Sequence, residues 1–204
     1  PSPPPPADIT SDLVVHLSFN AGRGSTITDS SSQGNDFSIA NGAAWAADGV
    51  GGPYAMSFDG TNQYIYRENT GHYRFFTFAM WIKTSTAAGS WMSESSPTTG
   101  CDNLRGWLDS STGAPSFYFW DNSSPNPNMR IHAQTSVSDG TWHHIAASMS
   151  GEENMMYLYV DGQLEASAST PGDDSGYSPF QPVVSTKKHA VLQVARGHLL
   201  CLPR

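Results

Sequence analysis

Two adjacent acidic pairs, Glu152-Glu153 and Asp173-Asp174, and the dyad His143-His144 are the residues whose types suit acid–base or metal chemistry. Glycoside hydrolysis needs two carboxyl groups facing each other across about 5 to 9.5 Å. Adjacent residues on an extended strand point to opposite faces, so neither acidic pair can supply that geometry. For the same reason the two imidazoles cannot jointly hold one ion, and His143-His144 reads as packing beside Trp142. The acidic pairs sit in turn-rich sequence and read as solvated charges. The chain has no Gly-x-Ser-x-Gly elbow, no phosphate-cradling Gly-Lys-Ser/Thr loop and no His-Glu-x-x-His motif. Catalysis is therefore not expected.

Binding chemistry is better served between residues 104 and 132. If Leu104 and Leu108, Phe117 and Phe119, and Met129 and Ile131 face a core, then period-two alternation turns Arg105 and Trp107, Tyr118 and Trp120, and Arg130 and His132 to the opposite faces of their strands. Three aromatic rings and two guanidinium groups would stand on consecutive strands. Rings stack on the apolar faces of sugars while Arg bonds hydroxyls, so the pattern suits a glycan platform. An aromatic or Pro-rich protein segment would fit the same chemistry, and a covering layer would reduce it to packing.

Short strands must carry these residues. Thr141 to Ser169 reads as two adjacent antiparallel strands and the start of a third, turning through Ser150 to Asn154 and then at Asp161-Gly162. Phe76, Phe78, Met80 and Ile82 alternate within another strand, and Leu13, Val15, Leu17 and Phe19 within a half-buried first one. Further strands are expected at 55–58, 63–66, 90–94, 103–108, 115–120 and 128–134. No segment shows a 3.6-residue apolar stripe. The 204 residues, with 14% charged residues and 19 glycines, suit one all-β antiparallel sandwich. A net charge of −8 with only ten Lys and Arg argues against nucleic acid as a partner. No apolar run is long enough for a membrane span.

The first strand (LVVHLSFNAGRG), the loop TDSSSQGND, the Ser-Phe-Asp-Gly turn, the Trp-His-His-Ile-Ala strand and the Tyr-Val-Asp-Gly turn together resemble laminin G-like domains of the concanavalin A-like lectin and glucanase superfamily, over residues 13 to about 169. The resemblance implies a jelly-roll sandwich and a binding role. The glucanases of that superfamily carry a Glu-x-Asp-x-x-Glu strand, which this sequence lacks. Asp102-Asn103 is similar in placement to the calcium-ligating Asp-Asn pair of the related pentraxins. A calcium ion wants six to eight oxygens, and the region that should close the site, Ala195 to His198, offers no carboxylate. Some laminin G-like domains instead hold calcium near the first loop, where Asn20, Asp29, Asn35 and Asp36 stand. No cofactor is required on this reading, and calcium is optional.

The C-terminus departs from the resemblance. A Gly-rich strand can come from His189 to His198, but Leu199 to Arg204 is unlike the final strand that inserts into the middle of a sheet, so the closing strand is expected to be atypical or missing. A missing strand would leave an open sheet edge. The expected division is a Pro-rich linker over 1–11, the sandwich over 12–198 and an atypical tail over 199–204. The linker's Ser-Pro-Pro-Pro-Pro block resembles the hydroxyproline-rich stalks of plant and green-algal matrix proteins and suits an extended rod. Cys101 and Cys201 either pair across a long loop in an oxidising compartment or remain free thiols. Asn122-Ser123-Ser124 is a glycosylation sequon. These features point to a non-catalytic extracellular recognition module for glycans or glycoproteins, secreted or attached to a cell surface or wall. The alternative is a structural assembly module that self-associates through a sheet edge and the Pro-rich segment.

Overall fold

The computed structural model describes residues 13–67, 76–94, 104–120, 128–150, 153–170, 182–185 and 190–193, all in strands and loops. The strands are β1 (Thr26–Ile27), β2 (Phe37–Ala40), β3 (Ala44–Ala46), β4 (Ala55–Phe58), β5 (Tyr64–Tyr66), β6 (Phe76–Thr84), β7 (Gly89–Glu94) and β8 (Leu104–Leu108), then β9 (Pro115–Trp120), β10 (Asn128–His132), β11 (Trp142–Ser150), β12 (Met155–Val160), β13 (Gln163–Ser169), β14 (Pro182–Ser185) and β15 (Ala190–Gln193). They form two antiparallel sheets, one ordered β1-β2-β5-β14-β7-β8-β9-β10 and the other β13-β12-β11-β6-β15-β4-β3. Among the described residues no helix is long and apolar enough to cross a membrane.

Alternation builds the core between the sheets. Phe76, Phe78, Met80 and Ile82 of β6, Ile145, Ala147 and Met149 of β11, and Met156, Leu158 and Val160 of β12 are buried from one side. Trp91, Leu104, Leu108, Phe117, Phe119 and Ile131 meet them from the other. Fully burying each large side chain stabilises the fold by about 1.5 to 3 kcal/mol. The β11–β12–β13 meander matches the expected hairpins. Asp161 (φ 50°) and Gly162 (φ 79°) both take the left-handed conformation that a two-residue turn of this kind requires. On the β10 side, the Glu165 carboxylate of β13 accepts the N–H groups of Gln134 and Thr135 at 2.9 and 3.2 Å and ties the loop after β10 to the opposite sheet.

Two expectations change. Leu13, Val14, Val15, Leu17 and Phe19 are buried, but the segment does not form a ladder strand; its described pairing is an isolated bridge of Leu17 to Asp29, and Phe19 has φ 54°. Loop side chains take up the backbone groups instead. Asp29 Oδ1 accepts His16 N–H at 2.7 Å, and Asn35 Nδ2 donates to Val14 O at 2.7 Å. Asp29 also accepts N–H groups from Ser31 and Asn35 and the Ser31 hydroxyl, while Asp36 Oδ1 accepts Asp29 N–H. These carboxylates and amides organise the loop, and a cation there would have to compete with that set of donors.

The second change concerns the C-terminus. β15 lies in the middle of its sheet, pairing with β6 on one side and β4 on the other. β14 enters the other sheet between β5 and β7. The atypical feature is thus a short closing strand drawn from the segment expected to come one strand earlier, not a vacant position. Residues 199–204 and the Pro-rich 1–11 lie outside the described residues.

Candidate ligand-binding face

β8, β9 and β10 form one end of the larger sheet, and their registers define two transverse rows. Arg105 pairs with Tyr118, which pairs with Arg130; Trp107 pairs with Ser116, which pairs with His132. Between them Gly106, Phe117 and Ile131 make the inward row. The β8–β9 hairpin is set by Asp109, whose carboxylate accepts N–H and hydroxyl groups of Ser111 and Thr112. Those bonds, the Ser111 hydroxyl first, hold its pKa down to about 2. Asp109 N–H donates to Ala114 O at 2.9 Å and closes the turn.

Close approach from below fixes β8. Trp91 is almost wholly buried, and its indole Nε1 donates to Trp107 O at 3.1 Å. Its ring stacks with Phe117 at 6.3 Å and lies so near Gly106 that a Cβ there would be 2.3 Å from it. Glycine is the residue that admits this contact.

Above β8, Arg105, Arg130 and His132 are exposed while Trp107 and Tyr118 are half-buried. The Arg130 guanidinium carbon lies 5.2 Å from the Trp107 ring centre and 5.9 Å from that of Tyr118, so this side chain leans from β10 back across β9. His132 meets Trp107 edge-on at 5.9 Å, and its Nδ1 is 2.7 Å from Ser116 Oγ. Arg105 Nε donates to Ser90 Oγ at 3.0 Å. Five of the six residues selected by alternation therefore stand together. Trp120 occupies the end of β9 in register with Asn128, and its side chain is outside the described part.

The arrangement differs from bare stacking rings in one respect. A face of Trp107 is already covered by Arg130, so the surface offers guanidinium and imidazole N–H edges supported by rings. Alternation could not show this, nor the supporting roles of Ser90, Ser116 and Trp91. The glycine at 106 between two large outward residues was the available signal for a close approach.

The other site residues stand apart or outside. Asp102, Asn103, Asn122, Cys101 and Cys201 fall among residues that are not described. His143 and His144 turn to opposite sides of β11. His143 Nδ1 is 2.7 Å from Asp161 Oδ2 and Nε2 is 3.2 Å from Asp139 Oδ1, whereas the His144 ring packs 5.2 Å from Trp81. Among the described residues no group of three His, Cys, Asp or Glu side chains is placed to hold a metal ion.

A family model for the concanavalin A-like lectin/glucanases superfamily, of laminin G type, matches residues 59–188. No curated protein matches the chain. Among solved structures, the binding domain of a Paraclostridial mosquitocidal protein superimposes with a TM-score of 0.73 at 11% identity, over 96% of this chain and 51% of that one. The binding domain of botulinum neurotoxin serotype D gives 0.71 at 11% identity, over 92% and 48%. A serotype D ligand-binding domain in complex with N-acetylneuraminic acid gives 0.67 at 11% identity, over 90% and 46%. This chain thus spans about half the length of those proteins, and at such identity the likeness is one of fold. With the family match extending over more than half of its 204 residues, the chain belongs to the concanavalin A-like lectin/glucanases superfamily.

Proposed function

We propose that the chain is a non-catalytic extracellular recognition module that binds glycans or glycoprotein surfaces through the outward face of β8, β9 and β10. The observation that carries this reading is the exposed Arg130 guanidinium, held over Trp107 and Tyr118 and flanked by Arg105 and His132. Sheet register fixes the backbone positions of these groups, and contacts with Trp107, Tyr118, Ser90 and Ser116 reduce the freedom their side chains lose when a ligand arrives. Guanidinium and imidazole donors bond hydroxyls and carboxylates directly, so binding here calls for no cofactor, and calcium at Asp102-Asn103 remains an optional addition. The fold is shared with binding domains of which one was solved with a sialic acid, and this lends support from a different direction. The rival reading, self-assembly through a gap left by a missing closing strand, is less favoured because β15 fills that place between β6 and β4.

The test is binding of the purified chain to a glycan array and to extracted matrix or wall polysaccharides. Wild-type protein should bind a subset of glycans, and Trp107→Ala or Trp120→Ala should weaken that binding at least about tenfold, as truncation of a central aromatic anchor does. Retention of full affinity by both variants, or a folded wild type that binds no glycan and polymerises with concentration, would remove the reading.

A further inference from the structure

Resting on that reading, we propose that the face selects carboxylated saccharides over their neutral counterparts. The ground lies in which cations are already engaged. Lys83 is held by Asp48 at 2.7 Å, and His143 by Asp161 and Asp139. Among the described residues no carboxylate lies within ion-pair distance of Arg105 or Arg130. Both arginines are exposed residues, and they flank Tyr118 on neighbouring strands. Their backbone positions are therefore two strand spacings apart, about 10 Å.

Arg130 shortens that gap from its own side, while Arg105 leans to Ser90 on β7. Arg130 extends across Tyr118 to reach the ring of Trp107, which stands on the strand that also carries Arg105. Its guanidinium carbon stands over both rings, and its N–H groups lie in the guanidinium plane. Arg105 is tethered at Nε by Ser90, and among the described residues no acceptor is bonded to its two terminal nitrogens. Each guanidinium is by itself a receptor for a planar carboxylate, whose two oxygens accept parallel N–H bonds from its fork. His132, its Nδ1 engaged with Ser116, adds an Nε2 edge toward the sugar hydroxyls. The chain as a whole is acidic, with a net charge of −8, so a general positive field does not gather anions here. Selection must come from these local donors.

A direct test compares matched pairs that differ only at the carboxyl: a galacturonate hexamer and sialyllactose, each beside its methyl ester, with a sulfated dextran as a third arm. The carboxylates should bind about tenfold or more tightly than their esters, which is the scale of one charge-assisted hydrogen bond. Arg105→Gln and Arg130→Gln should each close most of that gap, and added salt should weaken the acid forms preferentially. Arg130→Lys keeps the charge and loses the planar fork, so its affinity should fall between wild type and Arg130→Gln. Equal binding of acids and esters would overturn the selectivity and leave glycan recognition standing. Preference for sulfated dextran over both carboxylates would overturn it in favour of simple charge attraction. Failure of every saccharide, neutral forms included, would bring down the recognition reading and this inference with it. Circular dichroism of each variant separates lost binding from lost fold.

Discussion

The two sheets turn equally aromatic faces to solvent, yet they treat their charges in opposite ways. On the smaller sheet Trp81 packs on His144, Tyr157 stands beside Tyr159, and the neighbouring charges are occupied within the protein. Lys83 meets Asp48, His143 meets Asp161 and Asp139, and Glu153 accepts the Tyr157 hydroxyl. That last bond raises the Tyr157 pKa. On the larger sheet Trp107 and Tyr118 support a guanidinium that no described carboxylate pairs. Aromatic content therefore does not tell a binding face from a packing face. Under the proposed function it is the state of the hydrogen-bond donors that separates the two, since an occupied donor must lose a partner before it gains a ligand.

The sharpest way to break this contrast is to truncate the matching ring on each face. Trp107→Ala removes the surface on which Arg130 rests, so ligand affinity should fall at least about tenfold. Trp81→Ala should leave affinity within twofold, roughly the error of such a comparison, while costing about 1 kcal/mol or more through lost packing on His144. Titration against an immobilised glycan, paired with thermal melts, reads both quantities. Equal loss of affinity in the two variants would erase the distinction between the faces.

A smaller effect comes from beneath the site. Gly106→Ala places a methyl 2.3 Å from the buried Trp91 ring, and neither that indole nor the β8 backbone it bonds can yield without disturbing the other. Overpacking of this kind costs about 1 to 3 kcal/mol. In a chain of this size that is about 2 to 4 °C of melting temperature per kcal/mol. Affinity should fall as well, because Trp107 rides on the same strand.

How much of this was legible from sequence depended on what each residue had to satisfy. Where one face meets core and the other meets solvent, period two reads directly: β9 and β12 span the expected 115–120 and 155–160, and the outward row Arg105, Tyr118, Arg130 follows from it. Leu13 to Phe19 alternates just as well, yet its backbone is bonded by Asp29 and Asn35 from a distant loop, and side-chain competitors of that kind leave no periodic trace. The C-terminal insertion was illegible for another reason. A four-residue strand set between two neighbours needs no alternation, and Ala-Val-Leu-Gln carries none. Nor does register say where a long side chain leans, so Arg130 lying over Trp107 had to be seen.

The smallest predicted effects belong to the histidine pair, where one backbone step separates opposite responses to pH. Burial lowers the His143 pKa, but hydrogen bonds to Asp161 and Asp139 and their charges outweigh it and leave it raised. A raised folded value means that the contribution is complete below the unfolded pKa near 6.5 and is lost as pH climbs through the folded one. Burial lowers His144, against the weaker pull of Asp161, so its neutral form is favoured in the fold and stability falls as pH drops below about 6.5. The two slopes act on opposite sides of about pH 6.5, so wild-type stability should pass through a maximum near that pH and fall on either side of it. Replacing His143 with Asn should remove the alkaline-side fall and keep the acid-side one. Replacing His144 with Asn should do the reverse, with stability still declining as pH rises above about 6.5. Thermal melts at three pH values decide it: parallel pH profiles for the two variants would show that the imidazoles are not divided between a carboxylate clamp and an indole edge. Ligand affinity should stay constant through both substitutions, because this clamp belongs to the face whose charges are already occupied.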